Sequence, residues 1–166
     1  FFKNEEYEAA ISKYKDALTA KPDEEYPTAQ IEAAELIVKN RAEQSAKQKE
    51  YDENMREGNR AVDEEKYEEA IAAFERAMEV KPDEKEAENR RDTAADLLEK
   101  KKAKAAAEAA YSAAVAEADQ LYDSGEFEAA KVQYEVALEA KPDDEYAQQR
   151  VSSCDTKMAE LAEAAE

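Results

Sequence analysis

The sequence predicts an all-α protein built from repeats of one helical unit, and three observations support this prediction. The tripeptide Lys-Pro-Asp begins at Lys21, Lys81 and Lys141, with a step of 60 residues each time. A fixed period along a chain is typical of an array of one structural unit. Apolar residues recur at steps of three and four, which is the spacing of one helix face. The chain contains only two glycines and four prolines, so long stretches carry no helix breaker.

A short helix is predicted before each Lys-Pro-Asp tripeptide. In the central copy the apolar stripe runs from Tyr67 through Phe74 to Met78. The stretches 7–20 and 127–140 carry the same stripe. The proline of each tripeptide ends the helix, because proline lacks a backbone N–H and restricts the residue before it.

The helix after each tripeptide is predicted to be long. Its predicted N-caps are the tripeptide aspartates Asp23, Asp83 and Asp143. In the first copy Pro27 is an alternative first-turn residue. Nothing breaks a helix from 84 to 124, and the stretch from 27 to 63 contains only Gly58. Each stretch is therefore predicted to be one helix, and a break near Lys102 is the alternative.

A tight turn is predicted between each long helix and the short helix that follows it. Gly125 suits such a turn because glycine adopts the left-handed backbone conformation readily. The period places Glu65 and Glu5 at the same point in the other copies. Two helices joined by such a turn are expected to form an antiparallel hairpin.

Small residues, aromatic residues and a proline recur in two stretches, 51–84 and 111–144. In the first stretch they are Gly58, Ala61, Tyr67, Ala70, Phe74, Ala77 and Pro82. In the second stretch they are Ala118, Gly125, Phe127, Ala130, Tyr134, Ala137 and Pro142. At this spacing both stretches resemble the 34-residue tetratricopeptide repeat. Asn54 and Ala114 depart from that family, because they replace the large aromatic residue that often opens its first helix.

The period is the larger departure from the family. A step of 60 residues adds about 26 residues to each 34-residue unit. The added residues are predicted to extend the first helix of each hairpin. The resemblance then implies a tetratricopeptide-like helical-repeat solenoid with alternating long and short antiparallel helices. Residues 1–46 would form a partial first repeat, 47–106 the second repeat, and 107–166 a third repeat that ends in a partial long helix.

Composition argues against several classes of function. A net charge of -19 disfavours nucleic acid, whose phosphates require lysine and arginine. No apolar run approaches the ~20 residues needed to cross a bilayer. The chain has no histidine, no glycine-rich phosphate loop and no cysteine pair. We therefore predict no catalytic, cofactor or metal site and no enzyme activity. The single cysteine, Cys154, is predicted to occupy a small buried core position. The sequence indicates no compartment.

The tetratricopeptide resemblance implies a concave binding face, lined by the first helix of each pair. A clamp for a terminal carboxylate is rejected, because no lysine accompanies Asn59 on that face. A basic or amphipathic protein segment fits better. The predicted partner-binding residues are Asp52, Met55, Asn59, Asp63, Val115, Asp119 and Tyr122. A surface without a ligand is the alternative.

Two functional hypotheses follow. The first is a non-enzymatic scaffold that mediates protein–protein interaction. The second is a structural, self-assembling subunit of an extended rod or filament that stacks head-to-tail through its ends. The period does not drift, the two ends are in complementary phase, and Phe1-Phe2 is not the polar cap that a solenoid end requires. Exposed stacking ends favour open, non-closing assembly.

Overall fold

The computed structural model of the protein describes residues 4–164. It contains six α-helices: α1 (Asn4–Ala20), α2 (Glu25–Asp63), α3 (Tyr67–Val80), α4 (Lys85–Asp123), α5 (Phe127–Ala140) and α6 (Glu145–Ala164). Every regular element in this part of the chain is helical, which confirms the all-α prediction. Helices α2 and α4 each have 39 residues, whereas α3 and α5 each have 14. Helical geometry continues through Lys102 in α4, where the alternative placed a break.

The turns after α2 and α4 share one hydrogen-bond pattern. After α2, the N–H of Lys66 donates to the carbonyl of Ala61 (2.8 Å), and the N–H of Glu65 donates to Val62 (3.0 Å). These two bonds define a Schellman turn, whose central residue has a positive φ. That residue is Glu65 (φ 56°) after α2 and Gly125 (φ 82°) after α4. The predicted turn positions at these two residues are confirmed.

The third predicted turn position is wrong. Glu5 lies inside α1, which begins at Asn4. A Schellman turn needs the last carbonyls of a preceding helix as acceptors. Glu5 lies in the first turn of α1, so its backbone is helical and forms no turn.

Replacing Gly125 with alanine is expected to lower the free energy of unfolding by about 1 kcal/mol. A Cβ at this position would meet no atom within 4 Å, so the loss comes from the left-handed backbone alone. Urea unfolding followed by circular dichroism measures the change. The matched variant Glu65→Gly should raise stability by a similar amount. Equal stabilities of Gly125→Ala and the wild type would contradict this account of the turn.

The N-caps lie one residue later than the sequence predicts. The carboxylate of Asp144, not Asp143, accepts the backbone N–H of Ala147 (2.9 Å) at the start of α6. The reason is a turn after each lysine, closed by the Asp144 N–H donating to the carbonyl of Lys141 (3.2 Å). The proline and the aspartate of the tripeptide lie within this turn, so the helix begins after them. At the start of α2 the N-cap residue is Glu24, and its side chain makes no capping bond. Pro27 lies in the first turn of α2.

Packing divides the described chain into two units, with unit 1 extending to Ala95 and unit 2 starting at Asp96. The main core of unit 1 is formed by Tyr51, Met55, Ala61, Ala70, Phe74, Ala77, Ala87 and Ala94. Unit 2 has two clusters, one of Ala118, Ala130, Tyr134 and Cys154, the other of Ala114, Ala137 and Ala147. Most of these residues are alanines, which allow helices to approach closely around a few aromatic rings. Cys154 is fully buried, as predicted, and burial raises the pKa of its thiol. The repeat boundaries at 46 and 106 stay a prediction.

Candidate functional site

The predicted partner-binding residues of unit 1 lie mostly along one groove. We name it the α2 groove, and it is lined by Tyr51, Asp52, Met55, Arg56, Asn59 and Glu86. Five of these residues come from α2, at the steps of three and four that place side chains on one helix face. Glu86 comes from the first turn of α4. The structure therefore brings together three predicted residues, Asp52, Met55 and Asn59.

The rim of the α2 groove is charged and its floor is apolar. Asp52 is exposed, and its carboxylate accepts the side-chain amide of Gln48 (2.8 Å). Glu86 is also exposed, with Arg90 at 3.6 Å. Met55 is only 7 % exposed and belongs to the core, so it forms part of the floor. The groove can therefore offer carboxylates to a cation and a small apolar surface to an aliphatic side chain.

Asp63, the fourth predicted residue of unit 1, does not line the groove. It is the last residue of α2 and is exposed to solvent. Asp63 follows Asn59 by four residues, so helical spacing places it on the same face of α2 but one turn beyond the groove.

A tyrosine and the tripeptide lysine pack together in both units, a contact that the sequence reasoning missed. The Lys81 ammonium lies 5.4 Å from the centre of the Tyr51 ring, and the Lys141 ammonium lies 4.2 Å from that of Tyr111. Such cation–π contacts contribute about 0.5–1 kcal/mol at exposed sites. The signal was present in the sequence, since Tyr51 and Tyr111 are 60 residues apart, like the lysines.

The two tyrosine hydroxyls have different surroundings. The Tyr111 hydroxyl donates to the Asp144 carboxylate (2.7 Å), and burial together with this bond raises the pKa of Tyr111 to about 12. The Tyr51 hydroxyl is buried and has no hydrogen-bond partner among the described residues. Burial, then the nearby carboxylates of Glu86 and Glu84, raise the pKa of Tyr51. Unit 1 therefore lacks a bond that unit 2 makes at the equivalent position.

Replacing Glu84 with aspartate is expected to raise the free energy of unfolding by about 1 kcal/mol. Position 84 is equivalent to Asp144, whose shorter side chain both caps its helix and accepts the tyrosine hydroxyl. The aspartate would supply the same two bonds, to the N–H of Ala87 and to Tyr51. Chemical denaturation measures the gain, and Asp144→Glu should lose a similar amount. A Tyr51→Phe background separates the two bonds, because only the capping gain should survive there.

The predicted residues of unit 2 are held by contacts within their own unit. The carboxylate of Asp119 accepts the hydroxyls of Tyr134 (2.5 Å) and Tyr146 (2.7 Å) and the guanidinium of Arg150 (3.2 Å). All three donors approach the same oxygen, Oδ1. Burial raises the pKa of Asp119, but these hydrogen bonds outweigh it and leave the pKa lowered. This carboxylate is therefore a structural acceptor rather than a free contact for a partner.

Val115 and Tyr122 are also engaged. Val115 is half-buried against the cluster that contains Ala114. The guanidinium of Arg150 lies 4.2 Å from the centre of the Tyr122 ring, and Phe127 meets the same ring edge-on at 5.1 Å. The predicted surface is thus open at the α2 groove, whereas in unit 2 its polar and aromatic members are occupied.

The difference between the units has a simple cause in sequence. At the positions of Asp119 and Tyr146, unit 1 has Asn59 and Glu86. Glutamate carries no hydroxyl to donate, and its charge favours solvent. Position 86 therefore places an exposed carboxylate at the rim of the groove in unit 1, whereas Tyr146 in unit 2 donates its hydroxyl to Asp119.

The described residues offer little for metal or membrane chemistry. Across 4–164, no three side chains of His, Cys, Asp or Glu are placed together to hold a metal ion. None of the helices in this range is both long enough and apolar enough to cross a membrane.

Comparisons with protein-family models, with curated proteins and with solved structures give no match for the chain. The tetratricopeptide resemblance therefore stays a prediction based on motif residues.

Proposed function

We propose that the protein is a non-enzymatic helical-repeat scaffold that holds a segment of another protein in the α2 groove. In this proposal the chain is a tetratricopeptide-like solenoid of alternating long and short antiparallel helices. One observation carries the proposal. The α2 groove carries the exposed carboxylates of Asp52 and Glu86, whereas Asp119, on the corresponding surface of unit 2, is occupied by the tyrosines and arginine of its own unit.

The groove favours a basic, amphipathic segment. Asp52 and Glu86 place two carboxylates at the rim, and Met55 supplies apolar surface at the floor. A helix or extended segment could place an aliphatic side chain on Met55 and lysine or arginine beside the carboxylates. The net charge of -19 would speed the approach of such a partner at low ionic strength.

Fluorescence anisotropy with a labelled amphipathic lysine–leucine peptide tests this proposal. The variant Asp52→Lys should weaken binding by about tenfold or more, since it replaces attraction with repulsion inside the groove. Asp63→Lys is the matched control, because it makes the same change on the same helix outside the groove. Equal weakening by both variants would show that net charge alone attracts the peptide. Variants of Asp119 and Tyr122 are unsuitable, because they would disturb the packing of unit 2.

The rod or filament role stays a prediction. Sedimentation of the purified chain at two concentrations distinguishes it from the scaffold role. Head-to-tail assembly should give larger species at the higher concentration, whereas a scaffold that binds other proteins should sediment identically at both.

A further inference from the structure

Helix α5 has apolar residues on its outer side as well as on its buried side. Ala129, Val132 and Val136 follow one another at steps of three and four, so they share one face of the helix. Val132 is 52 % exposed, Val136 is 43 % exposed, and Ala129 is exposed as well. We name these three residues the α5 outer face. It is separate from the α2 groove, and what it binds does not depend on the proposed function.

The same side of the short helix is exposed in unit 1, but it is not apolar there. The residues of α3 that are equivalent to the α5 outer face are Glu69, Ala72 and Arg76, and all three are exposed. The guanidinium of Arg76 reaches back to α2, where it pairs with Glu57 (2.8 Å). This side therefore faces solvent in both units, and the two valines are particular to unit 2.

Two valines on a solvent-facing helix surface do not stabilise the fold. Valine is a weaker helix former than alanine, because its branched side chain loses rotamer freedom in a helix. Burial usually offsets this cost, but about half of the surface of Val132 and of Val136 is in water. Single exposed apolar residues are normal, whereas a row of them on one face is typical of a surface that a partner covers.

The α5 outer face leads into a groove at the start of the helix. We name it the α5/α6 groove, and it is lined by Phe127, Ala129, Met158 and Leu161, among others. Its volume is about 530 Å³, and Leu161 is 57 % exposed. The equivalent of Leu161 in unit 1, Lys101, is also exposed. Because Ala129 belongs to both surfaces, a helix lying on the valines could place one large apolar side chain in the groove, as anchor residues do in interfaces.

A row of glutamates runs beside the α5 outer face. Glu128, Glu135 and Glu139 are exposed, and their spacing places them along one edge of α5. Among residues 4–164, Glu128 and Glu139 have no ion-pair partner. The basic side chain of α5, Lys131, is already paired with Asp155 (2.6 Å). At ~1.5 Å per residue the row is about 16 Å long, which is about three turns of a partner helix.

These charges decide which partner fits the surface. Lysine or arginine beside the glutamates would form ion pairs at the rim while apolar residues cover the valines. A second copy of the chain does not fit, because its own α5 would bring the same glutamates to the contact and like charges repel. Each chain also carries a net charge of -19, which attracts a basic protein at long range and opposes self-association.

We propose that the α5 outer face binds a basic, amphipathic α-helix of another protein. The partner places small or aliphatic residues on Val132 and Val136, one large apolar side chain in the α5/α6 groove, and lysine or arginine along the row of glutamates. Helix α3 has glutamates at the equivalent positions, Glu68, Glu75 and Glu79, but it lacks the two valines. Unit 1 therefore has the charged part of this site without the apolar part.

The test uses the full chain, labelled with ¹⁵N, and a synthetic helical peptide of lysine, alanine and leucine with the lysines along one edge. Titration should give saturable shifts in α5 and at the end of α6. The shifts in α3 should be much smaller, because α3 offers the same carboxylates without the valines. Shifts of equal size in α3 and α5 would show that charge alone attracts the peptide, and they would overturn the proposal, as would the absence of shifts in α5.

Two chain variants locate the site. Val136→Arg gives α5 the residue that α3 has, and it should weaken binding at α5 by about tenfold or more while leaving the helical circular dichroism unchanged. Ala72→Arg is the matched control, because it adds the same charge to the equivalent surface of α3, and it should bind like the wild type. Equal weakening by both variants would contradict the assigned surface. Self-association of the chain alone, abolished by Val136→Arg, would contradict the choice of a separate protein as the partner.

Discussion

Replacing Gly58 with alanine is expected to lower the free energy of unfolding by about 2 kcal/mol. A Cβ at this position would lie 2.5 Å from Cε1 and 2.7 Å from Cδ1 of the Phe74 ring. Real Cβ atoms do not approach a carbon so closely. The ring is fully buried, so it can move only by displacing the alanines around it. We expect α2 and α3 to be pushed apart at this point.

The sign of the change in the free energy of unfolding distinguishes a steric clash from an effect of helix propensity. In an exposed helix, alanine is more favourable than glycine by about 1 kcal/mol. A loss of stability on Gly58→Ala would therefore report the close approach of the two helices rather than helix propensity. Urea unfolding followed by circular dichroism gives the free energy.

The equivalent position in unit 2 supplies the control. Ala118 already has a Cβ there and is fully buried, so Ala118→Gly should also destabilise, by about 1 kcal/mol, through lost propensity and packing. In the Gly58→Ala background, Phe74→Leu should recover part of the loss, because leucine occupies less of the contested space. A Gly58→Ala protein that is more stable than the wild type would rule out the clash.

The sequence was sufficient for the helices because their signals are local and repeated. Proline after each short helix and the αL turn at Gly125 each act within a few residues of their own position. The 60-residue period then confirms each signal in another copy. The N-cap of α6 was predicted at Asp143, one residue before its true position at Asp144. The turn after Lys141 is closed by a hydrogen bond between backbone groups, and no residue type in the sequence specifies this bond.

The site was harder to predict because it depends on differences between copies. Asn59 and Asp119 occupy equivalent positions, and the tetratricopeptide resemblance assigned both to one binding surface. The structure shows that the residues packed beside each position determine whether its side chain is engaged within the unit. In unit 2 the hydroxyls of Tyr134 and Tyr146 donate hydrogen bonds to the Asp119 carboxylate, whereas in unit 1 Phe74 has no hydroxyl that could donate to Asn59. A comparison of the copies would have shown that tyrosine and aspartate change together.

Replacing Asp119 with alanine is expected to lower the free energy of unfolding by about 2 kcal/mol. The Tyr134 side chain is fully buried, and its hydroxyl would lose the carboxylate that accepts its hydrogen bond. Arg150 would lose its ion-pair partner, although this pair is partly exposed and contributes less. Most of the loss should therefore come from the buried hydroxyl, which urea unfolding at pH 7 measures.

The loss on removing this carboxylate should depend on pH. The pKa of Asp119 in the folded chain is lowered, because the hydrogen bonds from Tyr134, Tyr146 and Arg150 outweigh the opposing effect of burial. The stability that it contributes is therefore present above the unfolded carboxyl pKa of about 4. It is lost as the pH falls through the lower folded value. The stability difference between wild type and Asp119→Asn should shrink below about pH 4, which urea unfolding at a series of pH values measures.

A double-mutant cycle with Tyr134→Phe isolates the bond between the two side chains. Phenylalanine and asparagine are the residues that unit 1 has at these positions, so Tyr134→Phe with Asp119→Asn recreates a natural pair. Once the hydroxyl is absent, the aspartate has one donor fewer and its removal should matter less. We expect the two single losses to exceed the double loss by about 1 kcal/mol. Additive losses would mean that Asp119 acts through Arg150 and Tyr146 alone, and that the exchange of tyrosine for phenylalanine between the copies is unrelated to the exchange of aspartate for asparagine.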